Sequence, residues 1–150
     1  MLSLVTDPPR LLRPGQITAT QIEQVIGPIE RGALASPINE PLPSPGLLNR
    51  HYAPATVTES VESKVIDRVK ELLTGGLRVG LLTHEHLGID ASRFVVRELP
   101  NDPAVYAARL YATLFEMDQL NLDRIIVQMP PATEEWFAIR DRLRRASAQD

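Results

Sequence analysis

Apolar positions in the last two-thirds of the chain follow two alternating rhythms. Val61, Val65, Val69, Leu72 and Leu73 recur at helical spacing, and Gly75-Gly76 closes that helix. Leu77 to Leu82 and Phe94 to Leu99 are short β-rich runs without helical periodicity, and Thr56 to Thr58 predicts a further short strand. Asp102-Pro103 reads as an N-cap with proline at the first helical position, opening a long helix marked by Val105, Leu110, Leu114, Met117 and Leu120. Ile125-Ile126-Val127 lies in a candidate buried strand that Pro130-Pro131 ends. Thr133 then caps a last helix with Trp136, Ile139 and Leu143 on one face. Strands separated by helices of this length imply right-handed crossovers and a mostly parallel sheet covered on both sides. The expected fold is therefore α/β, a small Rossmann-like three-layer sandwich over residues 55–150.

The first 27 residues form a different unit. Leu2 to Val5 and Arg10 to Arg13 resemble strands interrupted by Pro8-Pro9, and Arg13-Pro14-Gly15 supplies a turn. Thr18 and Gln21 have capping-box spacing, with Ile17 placed to staple against Ile22, so a helix is expected from Ala19 to a stop at Gly27. This strand-helix piece is too small to fold alone, and Leu2, Leu4, Val5, Ile22 and Ile26 require an apolar partner. The expectation is that sequence upstream of Met1 completes it. Between the two units, residues 28–54 hold Pro28, Pro37, Pro41, Pro43, Pro45 and Pro54, which removes backbone donors and predicts a semi-rigid linker.

Composition narrows the picture only slightly. A net charge of -3 argues against a whole-surface grip on nucleic acid, and the absence of cysteine excludes disulfides, thiolate nucleophiles and cysteine-based zinc sites together. Neither a signal peptide nor a membrane-spanning run is visible, so cytoplasm is the expected location and no membrane partner is expected.

Each cluster with chemical potential has a plain structural alternative. His84 and His86 follow an expected strand, but two histidines alone make an incomplete metal site, and a polar turn accounts for them; no metal is expected. Glu134-Glu135 sits in a first helical turn, where negative charge complements the helix dipole. Gly75-Gly76-x-x-x-Gly80 ends a helix and leads into a strand, the reverse of a dinucleotide fingerprint. The arginines from Arg140 to Arg145 suit phosphates or a solvated helix end equally, and Tyr106, Tyr111 and Trp136 are expected core. No catalytic triad is visible. Two arginine-bearing elements remain, Arg10 to Gly15 and Ser44-Pro-Gly-Leu-Leu-Asn-Arg-His-Tyr-Ala-Pro54. Arginine's planar fork suits a triphosphate or carboxylate, while a role in pinning the linker to a domain surface explains the residues as well.

The second element resembles the SPGM-x-x-RHYAP linker of the two-domain threonylcarbamoyl-AMP synthase family. Arg10-Leu-Leu-Arg-Pro-Gly15 is similar to the close of that family's YrdC-like catalytic domain. The segments from Leu110 to Asp118, Asp123 to Pro131 and Trp136 to Ala146 resemble its C-terminal domain in order; Phe115 departs from the basic residue expected there. The resemblance implies that residues 1–27 are the end of the YrdC-like domain, 28–54 the linker and 55–150 a regulatory domain. It also implies conversion of ATP, L-threonine and bicarbonate to threonylcarbamoyl-adenylate and pyrophosphate, for tRNA modification. On that basis Arg13 lies beside the nucleotide pocket, and Arg50, His51 and Tyr52 reach it from the linker. ATP with magnesium belongs to the full-length enzyme; this fragment holds no catalytic residue, needs no cofactor of its own, and is expected to be inactive alone. The implied partners are the YrdC-like domain and the downstream machinery that transfers threonylcarbamoyl to tRNA. The alternatives are a free-standing protein-interaction module and an RNA-contacting domain that uses the arginines of the last helix.

Overall fold

A computed structural model describes residues 1–31 and 53–148. Strands β1 (Leu2–Ser3) and β2 (Arg10–Leu11) pair antiparallel, and β2 pairs in parallel with β3 (Glu30–Arg31) to give a three-stranded sheet. Helix α1 (Ala19–Ile26) lies between β2 and β3 and begins where the sequence predicts. Its capping box is complete, with the Gln21 backbone N–H donating to Thr18 Oγ1 at 3.2 Å and the Thr18 N–H to Gln21 Oε1 at 2.9 Å. Ile17, the expected staple, is 64% exposed, so most of its surface remains in water. The segment expected to be linker from residue 28 thus first returns to the small sheet through β3.

The second sheet contains β4 (Thr58–Val61), β5 (Val79–Thr83), β6 (Val95–Glu98) and β7 (Arg124–Gln128), all parallel in the order β4-β7-β5-β6. Helix α2 (Val65–Thr74) joins β4 to β5, and α3 (Pro103–Asp118) joins β6 to β7. A 3₁₀ turn (Glu134–Trp136) leads into α4 (Phe137–Ala146). Strand alternation divides the apolar side chains between two layers. Leu82, Ile125 and Val127 meet Tyr106, Leu110, Met117, Trp136, Ile139 and Leu143 from α3, the 3₁₀ turn and α4. On the opposite face, Val79, Leu81 and Ile126 meet Val65, Val69 and Leu72 of α2. The result is the expected three-layer Rossmann-like sandwich. Residues 84–94 carry the chain from β5 to β6 without a helix, anchored by Leu87, Ile89 and Phe94 beside α2.

Four details differ from the sequence expectation or explain it. The first strand of this sheet covers residues 58–61 and not 56–58. Val61 belongs to that strand and not to the following helix; Lys64, at φ 55°, turns the chain into α2. The paired glycines do what a helix stop requires: Gly76 adopts φ +80°, while its N–H bonds the Leu73 carbonyl and Leu77 N–H the Leu72 carbonyl. Gly80 serves close packing, since a Cβ there would lie 2.7 Å from Met117 Cε and 2.6 Å from Leu122 Cδ1.

Candidate functional site

The N-terminal unit meets the α/β unit along α4 and the turn before it. Arg13 follows β2 and precedes the Pro14-Gly15 turn, so its backbone is tied to β1: the Arg13 N–H donates to the Met1 carbonyl at 3.2 Å. Its guanidinium Nε donates to Asp141 Oδ2 at 2.8 Å. Asp141 is itself buried at 7% exposure and also accepts from Arg145, one turn later on α4, at 3.1 Å. The carboxylate therefore sits between two guanidinium groups, the arrangement that lets a charge be withdrawn from water at tolerable cost.

A second polar clasp lies at the beginning of the same element. The Thr20 backbone N–H and Oγ1 donate to Glu134 at 2.9 and 2.7 Å, and these bonds hold the Glu134 carboxyl below its ordinary pKa. Arg31 pairs with Glu23 at 2.7 Å and approaches Glu134 at 3.7 Å; its hydrogen bond likewise lowers the Glu23 pKa. Within this interface is a cavity of about 210 Å³, walled by Leu11, Ile17 and Phe137 with Arg31 and Glu134 at its edge. A larger groove of about 470 Å³ runs between α1, the beginning of α3 and α4, beside Gln21, Asp102 and Arg142. Farther along the domain, Asp118 accepts from the Ala55 and Thr56 backbone N–H groups and from Thr56 Oγ1, fixing the chain where it enters β4. Burial works to raise the Asp118 pKa, but those hydrogen bonds leave it lowered overall.

The C-terminal ends of the parallel strands, where open α/β sheets place ligands, are closed by internal bonds. Thr83 Oγ1 donates to Gln128 Oε1 at 2.5 Å, Gln128 Nε2 donates to Glu85, and Arg140 bridges Glu62 and the Pro130 carbonyl. His84 is buried against Trp136 at a ring separation of 5.9 Å, and burial lowers its pKa. His86 instead stands in solvent beside Glu98 at 3.1 Å. The two histidines thus occupy different environments, and among the described residues no cluster of three His, Asp or Glu side chains is arranged for a metal. Tyr106 packs edge-on against Trp136, and both are buried as expected; Tyr111 is half-buried.

Of the four residues expected to touch substrate, Arg13 is located at the junction of the two units, whereas Arg50, His51 and Tyr52 lie outside the described residues. Asp141 was not legible as Arg13's partner, because 128 residues separate them. The arginine run divides: Arg140 is buried on Glu62, Arg145 pairs with Asp141, and Arg144 is exposed. Two of its cations are therefore engaged in the protein's own structure. Among the described residues no helix is long and apolar enough to cross a membrane.

An all-parallel sheet roofed by helices on both faces, clasped at its last helix to a small preceding sheet, defines a Rossmann-like α/β domain with an attached N-terminal segment. The chain belongs to the threonylcarbamoyl-AMP synthase family, whose C-terminal domain model matches residues 17–148. It is 38% identical over 152 residues to threonylcarbamoyl-AMP synthase of Bacillus subtilis, covering 98% of this chain and 44% of that protein. The Pyrococcus abyssi enzyme is 30% identical over 155 residues with the same coverage. The crystal structure of P. abyssi Sua5 complexed with L-threonine matches with a TM-score of 0.78 at 30% identity, covering 97% of this chain and 44% of that one. A P. abyssi Sua5 variant with a histidine and the next tyrosine changed to alanine gives a TM-score of 0.75 at 29% identity, covering 97% and 43%. The chain therefore spans less than half the length of these relatives.

Proposed function

We propose that this chain is the linker and C-terminal regulatory domain of an L-threonylcarbamoyladenylate synthase, preceded by the closing segment of its YrdC-like catalytic domain. The observation that carries this reading is the alignment of 98% of the chain with 44% of the B. subtilis synthase, which extends the likeness beyond the C-terminal domain to the segment holding Arg13. In the complete enzyme, L-threonine and bicarbonate form a carbamate with loss of water; its carboxylate attacks the α-phosphorus of magnesium-bound ATP and releases pyrophosphate. Arg13 and Arg50 supply permanent positive charge toward the phosphates or carbamate, where preorganised charge lowers the barrier. Tyr52 donates a hydrogen bond or closes the cavity to water, protecting the labile carbamate. His51 is the linker group able to titrate near neutral pH. The product serves tRNA threonylcarbamoylation in the cytoplasm, and the chain alone makes none.

The test is a chimera in which this chain replaces the matching portion of the B. subtilis enzyme. ATP- and threonine-dependent pyrophosphate release is expected from the chimera and not from the chain alone. Arg50→Ala combined with Tyr52→Phe is expected to lower turnover by at least tenfold. A folded chimera without activity overturns the reading; unchanged ATP affinity and turnover in the double variant removes the linker's role.

A further inference from the structure

Three features of the Arg13 environment call for a more specific role than adhesion between two units. The pair it forms crosses from the N-terminal unit to the α/β domain, and the guanidinium is engaged through Nε. The side chains of Arg13 and Asp141 are only 20% and 9% exposed, so the contact is largely shielded from solvent. Finally, Asp141 is fixed from its own helix by Arg145, which makes the carboxylate a stationary reference point and not a mobile surface group. Binding a guanidinium through Nε fixes rotation about its terminal bonds and sets the direction of the opposite edge, formed by the two Nη groups. A guanidinium donates paired N–H bonds to phosphate or carboxylate oxygens from either of its forked edges, as Arg68 does to Glu59 through Nε and Nη2, so fixing its plane fixes the directions in which it can bind such a group.

We infer that Asp141 is a positioning residue for Arg13, through which the C-terminal domain orients a cation of the adenylation site. This inference rests on the proposed place of Arg13 beside the nucleotide. Asp141 does not touch substrate; it determines where Arg13 points, and Arg145 maintains Asp141. The C-terminal domain then contributes to chemistry through one carboxylate as well as by covering the site. The Thr20–Glu134 clasp, by contrast, joins the same two units without touching Arg13. It therefore provides an internal control for loosening the junction alone.

The experiment measures ATP kinetics in the active chimera carrying Arg13→Ala, Asp141→Asn, Asp141→Glu or Thr20→Ala, each assayed well below its melting temperature. Asp141→Asn is expected to lower kcat/KM for ATP by ten- to a hundredfold, with Asp141→Glu recovering part of the loss. Thr20→Ala is expected to lower the melting temperature while leaving kcat/KM within about twofold, because its clasp bears on adhesion alone. The exchange of Arg13→Asp with Asp141→Arg is expected to restore melting temperature but not turnover, which a merely structural ion pair would restore together. If Arg13→Ala is impaired and folded Asp141→Asn matches the parent, the positioning role is overturned while the proposed function stands. Should Asp141→Asn fail to fold, Asp141→Glu and the exchanged pair decide: normal turnover in either the folded glutamate variant or the exchanged pair overturns the inference. If Arg13→Ala retains full activity, the placement of Arg13 beside the nucleotide fails and the inference falls with it.

Discussion

His84 shows how one residue type in a short motif divides by burial. Thr-His-Glu-His looks symmetrical in sequence, but β5 ends at Thr83 and the chain bends at residues 84 and 85, so His84 packs inward onto Trp136 while His86 emerges beside Glu98. His84 Nδ1 is buried without a hydrogen-bond partner among the described residues, so protonation there places charge in an apolar setting. Its folded-state pKa is lowered, so the unfolded chain takes up the proton first. The stabilisation is accordingly present above the unfolded value of about 6.5 and is lost as pH falls below it, with a slope of at most about 1.4 kcal/mol per pH unit. Urea unfolding from pH 7.5 to 5 is expected to show this loss in the parent and a shallower profile in His84→Phe, which preserves an aromatic contact with Trp136. Gly80 gives a second residue-scale test: Gly80→Ala forces Met117 and Leu122 to shift and is expected to cost about 1–3 kcal/mol by urea denaturation.

Elements were legible where local chemistry and burial agreed. The start of α1 was readable because the side chains of Thr18 and Gln21 each accept the other's backbone N–H, and α3 because Asp102 accepts the Val105 N–H ahead of a buried apolar stripe. Strand β3 was not, since its two residues, Glu30 and Arg31, are exposed and carry no apolar alternation. Val61 misled because it lies four residues before Val65, a helical interval that here spans a strand end and a left-handed turn at Lys64. The junction was illegible for another reason: Thr20 to Glu134 and Arg13 to Asp141 are contacts between distant parts of the chain, and neither local propensity nor periodicity encodes a partner. The candidate site was thus readable as residue types, with its geometry supplied by tertiary packing. The small sheet also has only two-residue strands. Backbone amides of β1–β3 are therefore expected to exchange with deuterium at least a hundredfold faster than those of β5 and β7. Comparable protection by hydrogen-exchange mass spectrometry would show that the clasps unite both sheets into one cooperative element.

At the scale of the whole molecule, apolar surface is unevenly distributed. The α/β unit buries its large side chains in two layers, whereas Leu4, Val5 and Val25 of the N-terminal unit are 71, 94 and 83% exposed. That contrast matches the proposed division between a domain with its own core and a segment whose natural neighbour is the catalytic domain. The β5–β6 connection has a practical consequence. Because Leu87, Ile89 and Phe94 anchor its ends while Asp90 to Arg93 remain exposed, the loop can accept an insertion without opening a core layer. It provides an attachment point for a fluorophore on the α/β domain, remote in sequence from both Arg13 and the segment expected to be linker. In the chimera with the B. subtilis enzyme, energy transfer from such a label to one on the remaining part of that enzyme would read the distance between the two directly, with and without ATP and L-threonine.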